Sequence, residues 1–376
     1  PLLYAKTNID SLKKAVDVAP TVEKLQIIYS ISEEEELPDT LWLGFALQAI
    51  DIAESMDKDD YKAASYLNLG IVHSALLQHD NANMHLDTAY QLYSGLSDSS
   101  QMAYCAYQLG LANEERAHYQ KSISWYSIAA DISKNLNNQT ELANALNGVG
   151  VINEFLGNYK KALENYLSAQ RIYTSLDDEE GISSTANNLG NINSSLGNYD
   201  AAIKYYNLCL EIDRKIDNNA GFSVSYTNIG LLYSELGQYT KALQYLQQSL
   251  DIERKNNNQA GIALCLNNLG CVYEELRNYD LAIRYLLESL TIIERLDDKS
   301  DKATIYNSLA AVYVKTGQFK EAANYLDNSM ALAKSLGEKS LVSENYLIAS
   351  RLYSAKSQYK NALEQQAVQT NGRRPV

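Results

Sequence analysis

Small and apolar side chains recur along this chain with a period of forty residues. From position 70 onward a small residue stands at every fortieth position, and an aliphatic residue usually precedes it. An aromatic ring follows nine positions later in every copy, and another small residue stands three positions after the ring. Eight copies without an insertion are the signature of a solenoid, in which each unit packs on its neighbours. The small residues of the period are Gly70, Gly110, Gly150, Gly190, Gly230, Gly270, Ala310 and Ser350.

One unit, residues 141–178, shows what the period predicts. Its first half carries apolar residues at helical spacing, and Gly157 then breaks the pattern. A second helical run extends from Ala162 to Tyr173. The unit is therefore predicted to be two antiparallel helices of roughly fifteen residues each, joined by a short turn. The predicted fold class is all-α, a solenoid of helical hairpins.

Gly150 stands in the middle of the first predicted helix, where glycine is about 0.5–1 kcal/mol less favourable than alanine. Repetition of this cost in six copies indicates that the missing side chain lets another helix approach closely. Ala162 supplies a matching small surface on the second helix. We expect the ring at Tyr159 to pack beside this contact, and the tyrosines at such repeat positions to belong to the core.

The two ends of the chain depart from the period. Residues 21–60 contain an offset hairpin in which Trp42 stands where the small residue is expected, and this part is predicted to be a divergent cap. A lead segment, 1–20, precedes the cap. Residues 61–369 form the eight repeats, the last one incomplete, and 370–376 form a tail. Because the apolar pattern ends without a second cap, we expect further protein after this tail.

The repeated elements resemble the tetratricopeptide repeat (TPR) family. The resemblance rests on Asn187-Asn188-Leu189-Gly190, Leu196-Gly197-Asn198-Tyr199, Ala202 and Tyr206. A period of forty is similar to that of the longer-helix subclass of the family, found in kinesin light chain and the Leu-Gly-Asn repeat proteins. The resemblance implies a right-handed superhelix whose first helices line a concave channel, with peptides or protein tails as ligands.

A narrower resemblance concerns the start of the chain. Residues 9–14, Ile-Asp-Ser-Leu-Lys-Lys, lead directly into the repeats, which is similar to exported TPR sensor regions of bacterial histidine kinases and related regulators. In such proteins the repeats lie ahead of a membrane helix and a signalling domain. Residues 2–6, Leu-Leu-Tyr-Ala-Lys, are similar to the end of a secretory signal and favour a periplasmic or exported location. An ordinary disordered terminus, with a cytoplasmic location, is the alternative.

In the TPR family, one face of each first helix points into the channel. We define the first-helix stripe as the positions three and two before the small residue of each repeat and those one and four after it. Asparagine, which is unfavourable inside helices, occupies many of these positions. Its carboxamide offers a donor and an acceptor, which suits the N–H and C=O groups of an extended peptide. The candidate peptide-binding residues are Asn68, Asn147, Asn187, Asn188, Asn191, Asn228, Asn267, Asn268, Asn307, Glu154 and Glu274.

Alternatives to a peptide-binding role stay open for these residues. An asparagine beside the Leu-Gly pair can bond a neighbouring helix and touch no ligand. Stripe glutamates such as Glu154 and Glu274 either make the channel acidic, which disfavours acidic tails, or belong to a solvated helix face.

Composition and charge argue against several kinds of partner and binding site. The chain of 376 residues carries a formal net charge of −14, and nucleic acid is not expected as a partner because phosphate binding needs a basic surface. The longest apolar stretch, Leu41 to Ile50, is about half the length that crosses a bilayer, so no membrane insertion is expected within these residues. The cysteines show no paired spacing and the histidines do not share a helix face, so neither a disulfide framework nor a metal site is predicted.

The sequence contains no catalytic motif. Each mid-repeat glycine is single and lies within a predicted helix, which excludes a phosphate-binding loop, and no serine occupies a nucleophile elbow. No cofactor is expected. The leading hypothesis is a non-catalytic protein- or peptide-binding module that holds an extended peptide in the channel through the asparagines. The alternative is the ligand-sensing region of a bacterial signalling receptor or transcriptional regulator whose effector domain lies outside this sequence. A third hypothesis is self-association through the end repeats.

Overall fold

The computed structural model describes residues 14–16, 18–31 and 38–357 of the chain. Within these residues all regular structure is helical and no strand occurs, which confirms the predicted all-α class. The helices are α1 (Thr21–Ile31), α2 (Asp39–Met56), α3 (Asp59–Ala75), α4 (His79–Gly95), α5 (Ser99–Glu115), α6 (Tyr119–Asn135), α7 (Gln139–Phe155), α8 (Tyr159–Ser175), α9 (Glu179–Ser195), α10 (Tyr199–Lys215), α11 (Asn219–Glu235), α12 (Tyr239–Lys255), α13 (Gln259–Glu275), α14 (Tyr279–Leu296), α15 (Lys299–Lys315), α16 (Phe319–Leu336) and α17 (Lys339–Ala355).

The forty-residue period corresponds to one hairpin of two helices. From α3 to α17, the odd-numbered helices are the first helices of successive hairpins and the even-numbered ones are the second. These helices are 17 or 18 residues long, slightly longer than the sequence indicated. In the unit chosen above, α7 and α8 are the two helices, and they pack against each other as predicted.

The chain divides into two compact units, residues 1–192 and 193–376. In the first unit, helices α3 to α8 pack consecutively, each against the next. In the second unit, α10 to α17 pack in the same way. First helices of neighbouring repeats also contact each other within a unit, for example α5 with α7 and α13 with α15. Stripe residues of adjacent repeats are therefore neighbours in space.

The first helices end at the same position of the repeat, where the backbone of the turn adopts a left-handed conformation. The residue seven positions after the small residue has a positive φ, which is 73° at Gly157 and 57° at Leu77. The N–H of Gly157 donates to the carbonyl oxygen of Glu154, as is usual where a helix ends in the left-handed conformation. Glycine adopts this conformation without strain. The break in the apolar pattern at Gly157 is therefore the end of the helix.

In the first unit, the glycine inside each first helix makes room for a side chain. A Cβ atom added at Gly150 would lie 2.6 Å from the ring of Tyr166, and one added at Gly110 would lie 2.5 Å from that of Tyr126. Both rings are buried. At Gly150 the three atoms nearest to such a Cβ all belong to Tyr166 of the second helix, so a buried ring, and not the methyl group of Ala162, is the nearest neighbour.

The small residue of the second helix comes close in both units, and in the first unit the hydroxyl of Ser122 donates to the carbonyl oxygen of Gly110 at 2.8 Å. In the second unit, a Cβ atom added at Gly230 would lie 2.8 Å from Leu246 and 3.3 Å from the carbonyl oxygen of Ala242. The expected approach of the second helix is therefore present at this repeat, although a side chain is again the nearer neighbour.

The ring that opens the second helix differs in burial from repeat to repeat, and it is partly buried against a core cluster at Tyr199, Tyr239, Tyr279 and Phe319. Tyr159 is 37% exposed, so the expectation that it packs in the core beside the glycine is wrong. The physical reason is its position, because Tyr159 is the first residue of α8 and lies directly after the turn. The buried tyrosines of this repeat are Tyr166 and Tyr173, two and four helical turns further on.

Some sequence predictions fall outside the described residues. They concern the signal-like residues 2–6, most of the segment 9–14 and the tail 370–376. Val16 of the lead segment and Leu25 of the cap join a buried apolar cluster with residues of α2. No helix within the described ranges is both long and apolar enough to cross a membrane.

Candidate functional site

The candidate residues of the first-helix stripe differ in how deeply their side chains are buried. Asn68, Asn267 and Glu274 are buried, with exposed fractions of 7%, 8% and 8%. The remaining candidates are half-buried: Asn147, Asn187, Asn188, Asn191, Asn228, Asn268, Asn307 and Glu154. The solvated-face alternative is therefore wrong for Glu154 and Glu274.

Two carboxamide bridges join first helices of adjacent repeats. The Nδ2 atom of Asn188 donates to Oδ1 of Asn147 at 3.1 Å, which links α9 to α7. The Nδ2 atom of Asn307 donates to Oδ1 of Asn345 at 3.0 Å, which links α15 to α17. These bonds agree with the alternative that such asparagines bind a neighbouring helix. Asn345 was not predicted, because it lies outside the stripe positions of its repeat.

Three other stripe asparagines keep an atom without a hydrogen-bond partner. These atoms are Oδ1 of Asn68, Oδ1 of Asn267 and Nδ2 of Asn268, and all three are buried. An unsatisfied buried polar atom is unfavourable by about 1–3 kcal/mol. Asn267 and Asn268 are consecutive residues of α13, so this helix carries both an unused acceptor and an unused donor.

In the first unit, tyrosines of second helices donate hydrogen bonds to two of the stripe glutamates. The hydroxyl of Tyr166 donates to Oε2 of Glu154 at 2.7 Å, and that of Tyr126 donates to Oε2 of Glu114 at 2.7 Å. Burial raises the pKa of Glu154, and the hydrogen bond from Tyr166 opposes this shift. The sequence pointed to Glu154 but not to its partner, although Tyr166 stands at a fixed distance from Gly150 in the repeat.

Glu274 is paired with a cation in the second unit. The Nζ atom of Lys315 lies 3.1 Å from Oε1 of Glu274 and 3.3 Å from Oε1 of Glu275. Burial raises the pKa of Glu274, and the charge of Lys315 opposes that shift. The predicted acidity of the stripe is therefore compensated at this repeat.

Two cavities lie beside the stripe in the second unit. The larger, of about 130 Å³, lies between α11 and α13 and includes Glu253 of α12 among its lining residues. The smaller, of about 20 Å³, lies between α13 and α15, and Asn267 lines it. Leu264 borders both cavities and is 50% exposed.

The structure does not bring the histidines and cysteines together as a metal site. Within the described ranges, no group of three or more histidine, cysteine or acidic side chains is arranged to hold a metal ion. His73 and His85 stack on each other, with ring centroids 5.2 Å apart. All four cysteines are free thiols.

Comparison with family models matches the repeats to known sequences. A tetratricopeptide repeat model matches residues 141–215 and 221–295, and a second tetratricopeptide repeat model matches residues 303–338. No curated protein matches the chain significantly.

Solved structures with the same fold cover nearly the whole chain. A Rap protein in complex with competence and sporulation factor is 14% identical, with a TM-score of 0.67, over 96% of this chain and 97% of that one. The apo form of the quorum sensor NprR from B. thuringiensis is 14% identical, with a TM-score of 0.67, over 97% and 99%. NprR in complex with its cognate peptide NprX is 20% identical, with a TM-score of 0.55, over 79% and 89%. At these identities the likeness establishes the fold alone.

Proposed function

Because this chain belongs to the tetratricopeptide repeat family, we propose that it is a non-catalytic module that binds an extended peptide or protein segment along the first-helix stripe. Two of the similar structures support a ligand of this kind. NprR is described with its cognate peptide, and the Rap protein is described with competence and sporulation factor.

The observation that carries the proposal is the pair of unused polar atoms on α13. Oδ1 of Asn267 can accept a hydrogen bond from a peptide N–H, and Nδ2 of Asn268 can donate to a peptide carbonyl oxygen. Such main-chain bonds supply affinity that depends little on the sequence of the bound segment. Both atoms are buried, so a small rotation of each carboxamide accompanies binding.

Apolar side chains beside these asparagines provide contacts for the side chains of the segment. Val224, Leu231 and Leu264 are 49%, 40% and 50% exposed on α11 and α13. Exposed apolar groups bordered by polar ones are characteristic of binding grooves. The stripe of the second unit therefore offers hydrogen bonds to the main chain of a bound segment and apolar contacts to its side chains.

A screen of random peptides against matched variants tests the proposal. Wild-type chain is compared with the double variant Asn267→Ala, Asn268→Ala. The variant Asn328→Ala is the control, because Asn328 is an exposed residue of the second helix α16. We expect the double variant to lose most of the retained peptides and the control to keep them. Unchanged peptide retention by a correctly folded double variant would argue against the stripe as the binding surface.

A sensing role is the second candidate, and the likeness to a structure described as a quorum sensor favours it. A sensing region must respond to its ligand with a change of conformation that another domain can detect. Small-angle X-ray scattering of the free chain and of its complex with a retained peptide separates the two candidates. A changed scattering profile supports sensing. Identical profiles support a module that binds a peptide without a change of conformation.

A further inference from the structure

A buried carboxylate lies on the inner wall of the larger cavity of the second unit. Glu253 of α12 is only 8% exposed and lines the space of about 130 Å³ between α11 and α13. Val224 and Leu264, which are 49% and 50% exposed, line the same space. These two apolar residues therefore line the solvent-exposed side of the cavity, and the carboxylate of Glu253 lines its buried side.

The open side of the cavity coincides with the first-helix stripe. Val224, Asn228 and Leu231 are spaced at four and then three residues on α11, so they lie on one face of that helix. Asn228 and Leu231 are stripe positions, and Asn228 also lines the cavity. A segment that lies along the stripe passes directly over the opening.

Hydroxyl groups surround the carboxylate but leave its charge uncompensated. The hydroxyl of Ser223 donates to Oε1 of Glu253. Ser249 Oγ lies 2.9 Å from Ser223 Oγ and 2.8 Å from Thr227 Oγ1, so these hydroxyls bond one another. A carboxylate has about four acceptor sites, and one hydroxyl donor is the partner that the structure provides. Among the described residues no cation pairs with Glu253, and a buried charge without a counter-charge is strongly unfavourable.

Glycine at position 261 leaves room for the carboxyl group of Glu253 at the edge of the cavity. A Cβ atom added at Gly261 would collide with the carboxyl group of Glu253. One repeat later, Ile293 stands in place of the glutamate and Asp301 in place of the glycine, and the corresponding cavity measures only about 20 Å³.

One repeat earlier, Asp213 and Gly221 occupy the equivalent positions, and a Cβ atom at Gly221 would likewise collide with the buried carboxyl group. There Nδ2 of Asn218 donates to Oδ1 of Asp213 at 3.1 Å. A buried acid that faces a glycine therefore occurs in two successive repeats, and the cavity of about 130 Å³ lies at Glu253.

We propose that this cavity receives the side chain of a lysine on the bound segment, an inference that rests on the proposed function. The ammonium group pairs with Glu253, and the aliphatic stem lies against Val224 and Leu264, since long basic side chains bury their methylene groups along apolar surfaces. The cavity measures about 130 Å³. This space suits a compact ammonium on a four-carbon stem better than the larger planar fork of arginine.

A small probe tests the cavity without any peptide. Binding of n-butylammonium chloride and of n-butanol is measured at pH 7 by saturation-transfer NMR. We expect wild-type chain to bind the ammonium and to bind the alcohol far less. Glu253→Gln, which keeps the shape and an acceptor for Ser223, should abolish ammonium binding. Glu321→Gln changes an exposed glutamate of α16 and should retain it.

Two outcomes of this probe experiment overturn the proposal. One is equal binding of butylammonium by wild type and by Glu253→Gln, and the other is equal binding of the ammonium and the alcohol by wild type. If circular dichroism shows that Glu253→Gln is misfolded, Leu264→Ala replaces it. Leu264 is half exposed, so this variant is expected to fold and to bind the ammonium severalfold more weakly, and unchanged binding would count against the proposal.

Peptides with modified lysines test the lysine pocket and the proposed peptide-binding function independently of each other. Retained peptides are compared with versions in which lysine is replaced by Nε-acetyl-lysine. We expect acetylation to weaken binding to wild type by roughly thirtyfold or more, and to have no effect on binding to Glu253→Gln. If peptides bind through the asparagines but acetylation changes nothing, the lysine pocket is wrong and the peptide-binding function stands. If no peptide binds while butylammonium binds through Glu253, the pocket stands and the peptide-binding function is wrong.

Discussion

Replacement of Gly150 by alanine tests what the glycine of each first helix does. The added Cβ would lie 2.6 Å from the ring of Tyr166. That ring is only 1% exposed, and its hydroxyl is bonded to Glu154, so it cannot move aside freely. Gly44 is the matched control, because it also lies inside a helix but a Cβ there would meet nothing within 4 Å.

The two substitutions are expected to change stability in opposite directions. Alanine is favoured over glycine inside a helix by about 0.5–1 kcal/mol, so Gly44→Ala should stabilise the chain by about that amount. At Gly150 the same gain is opposed by overpacking, which is unfavourable by about 1–3 kcal/mol. We expect Gly150→Ala to destabilise the chain by about 1–2 kcal/mol.

Urea denaturation followed by circular dichroism measures both effects, as shifts of the midpoint from that of wild type. A double variant, Gly150→Ala with Tyr166→Leu, should recover part of the loss, because Ala310 and Leu326 already lie together in one buried cluster. A midpoint for Gly150→Ala that rises as much as that of Gly44→Ala would refute the packing argument.

Two further predictions concern buried ionisable groups. Because burial raises the pKa of Glu154 in the folded state above its ordinary value of 4.5, the wild-type chain should lose stability as pH rises through 4.5 and up to that raised pKa. Glu154→Gln cannot ionise, so its melting temperature relative to wild type should be higher at pH 7 than at pH 4, and a constant difference would contradict the assignment. Burial also raises the pKa of Cys105 to about 12, so iodoacetamide at pH 8 should modify Cys105 only after denaturation, as mass spectrometry can check.

The helical hairpin was predictable from sequence because its signals are local. The apolar spacing before Gly157, the break at that glycine and the second run to Tyr173 predict α7 and α8 without any knowledge of packing. The partner of Gly150 was not predictable in this way. Helical periodicity gives the face on which a residue lies, but it does not say which side chain of the next helix fills the space, and Tyr166 does so here.

The stripe was predictable as a set of positions, but its chemistry was not. The bond between Asn188 and Asn147 depends on the distance between two first helices, which no spacing within one repeat specifies. Glu253 was not predicted, because it lies on a second helix and the stripe consists of first-helix positions. A signal was present in the sequence, since acidic residues hold this position in two successive repeats, as Asp213 and Glu253, whereas Tyr173 and Ile293 stand there in the repeats on either side.

Hydrogen–deuterium exchange of the chain, free and with a retained peptide, tests the central claim most directly. If an extended segment lies along the first-helix stripe, exchange should slow in the first helices α11 and α13, because a ligand suppresses local opening of the elements that it contacts. Exchange in the second helices α12 and α14 should change little. Slowing that is confined to α12 and α14 would contradict the account.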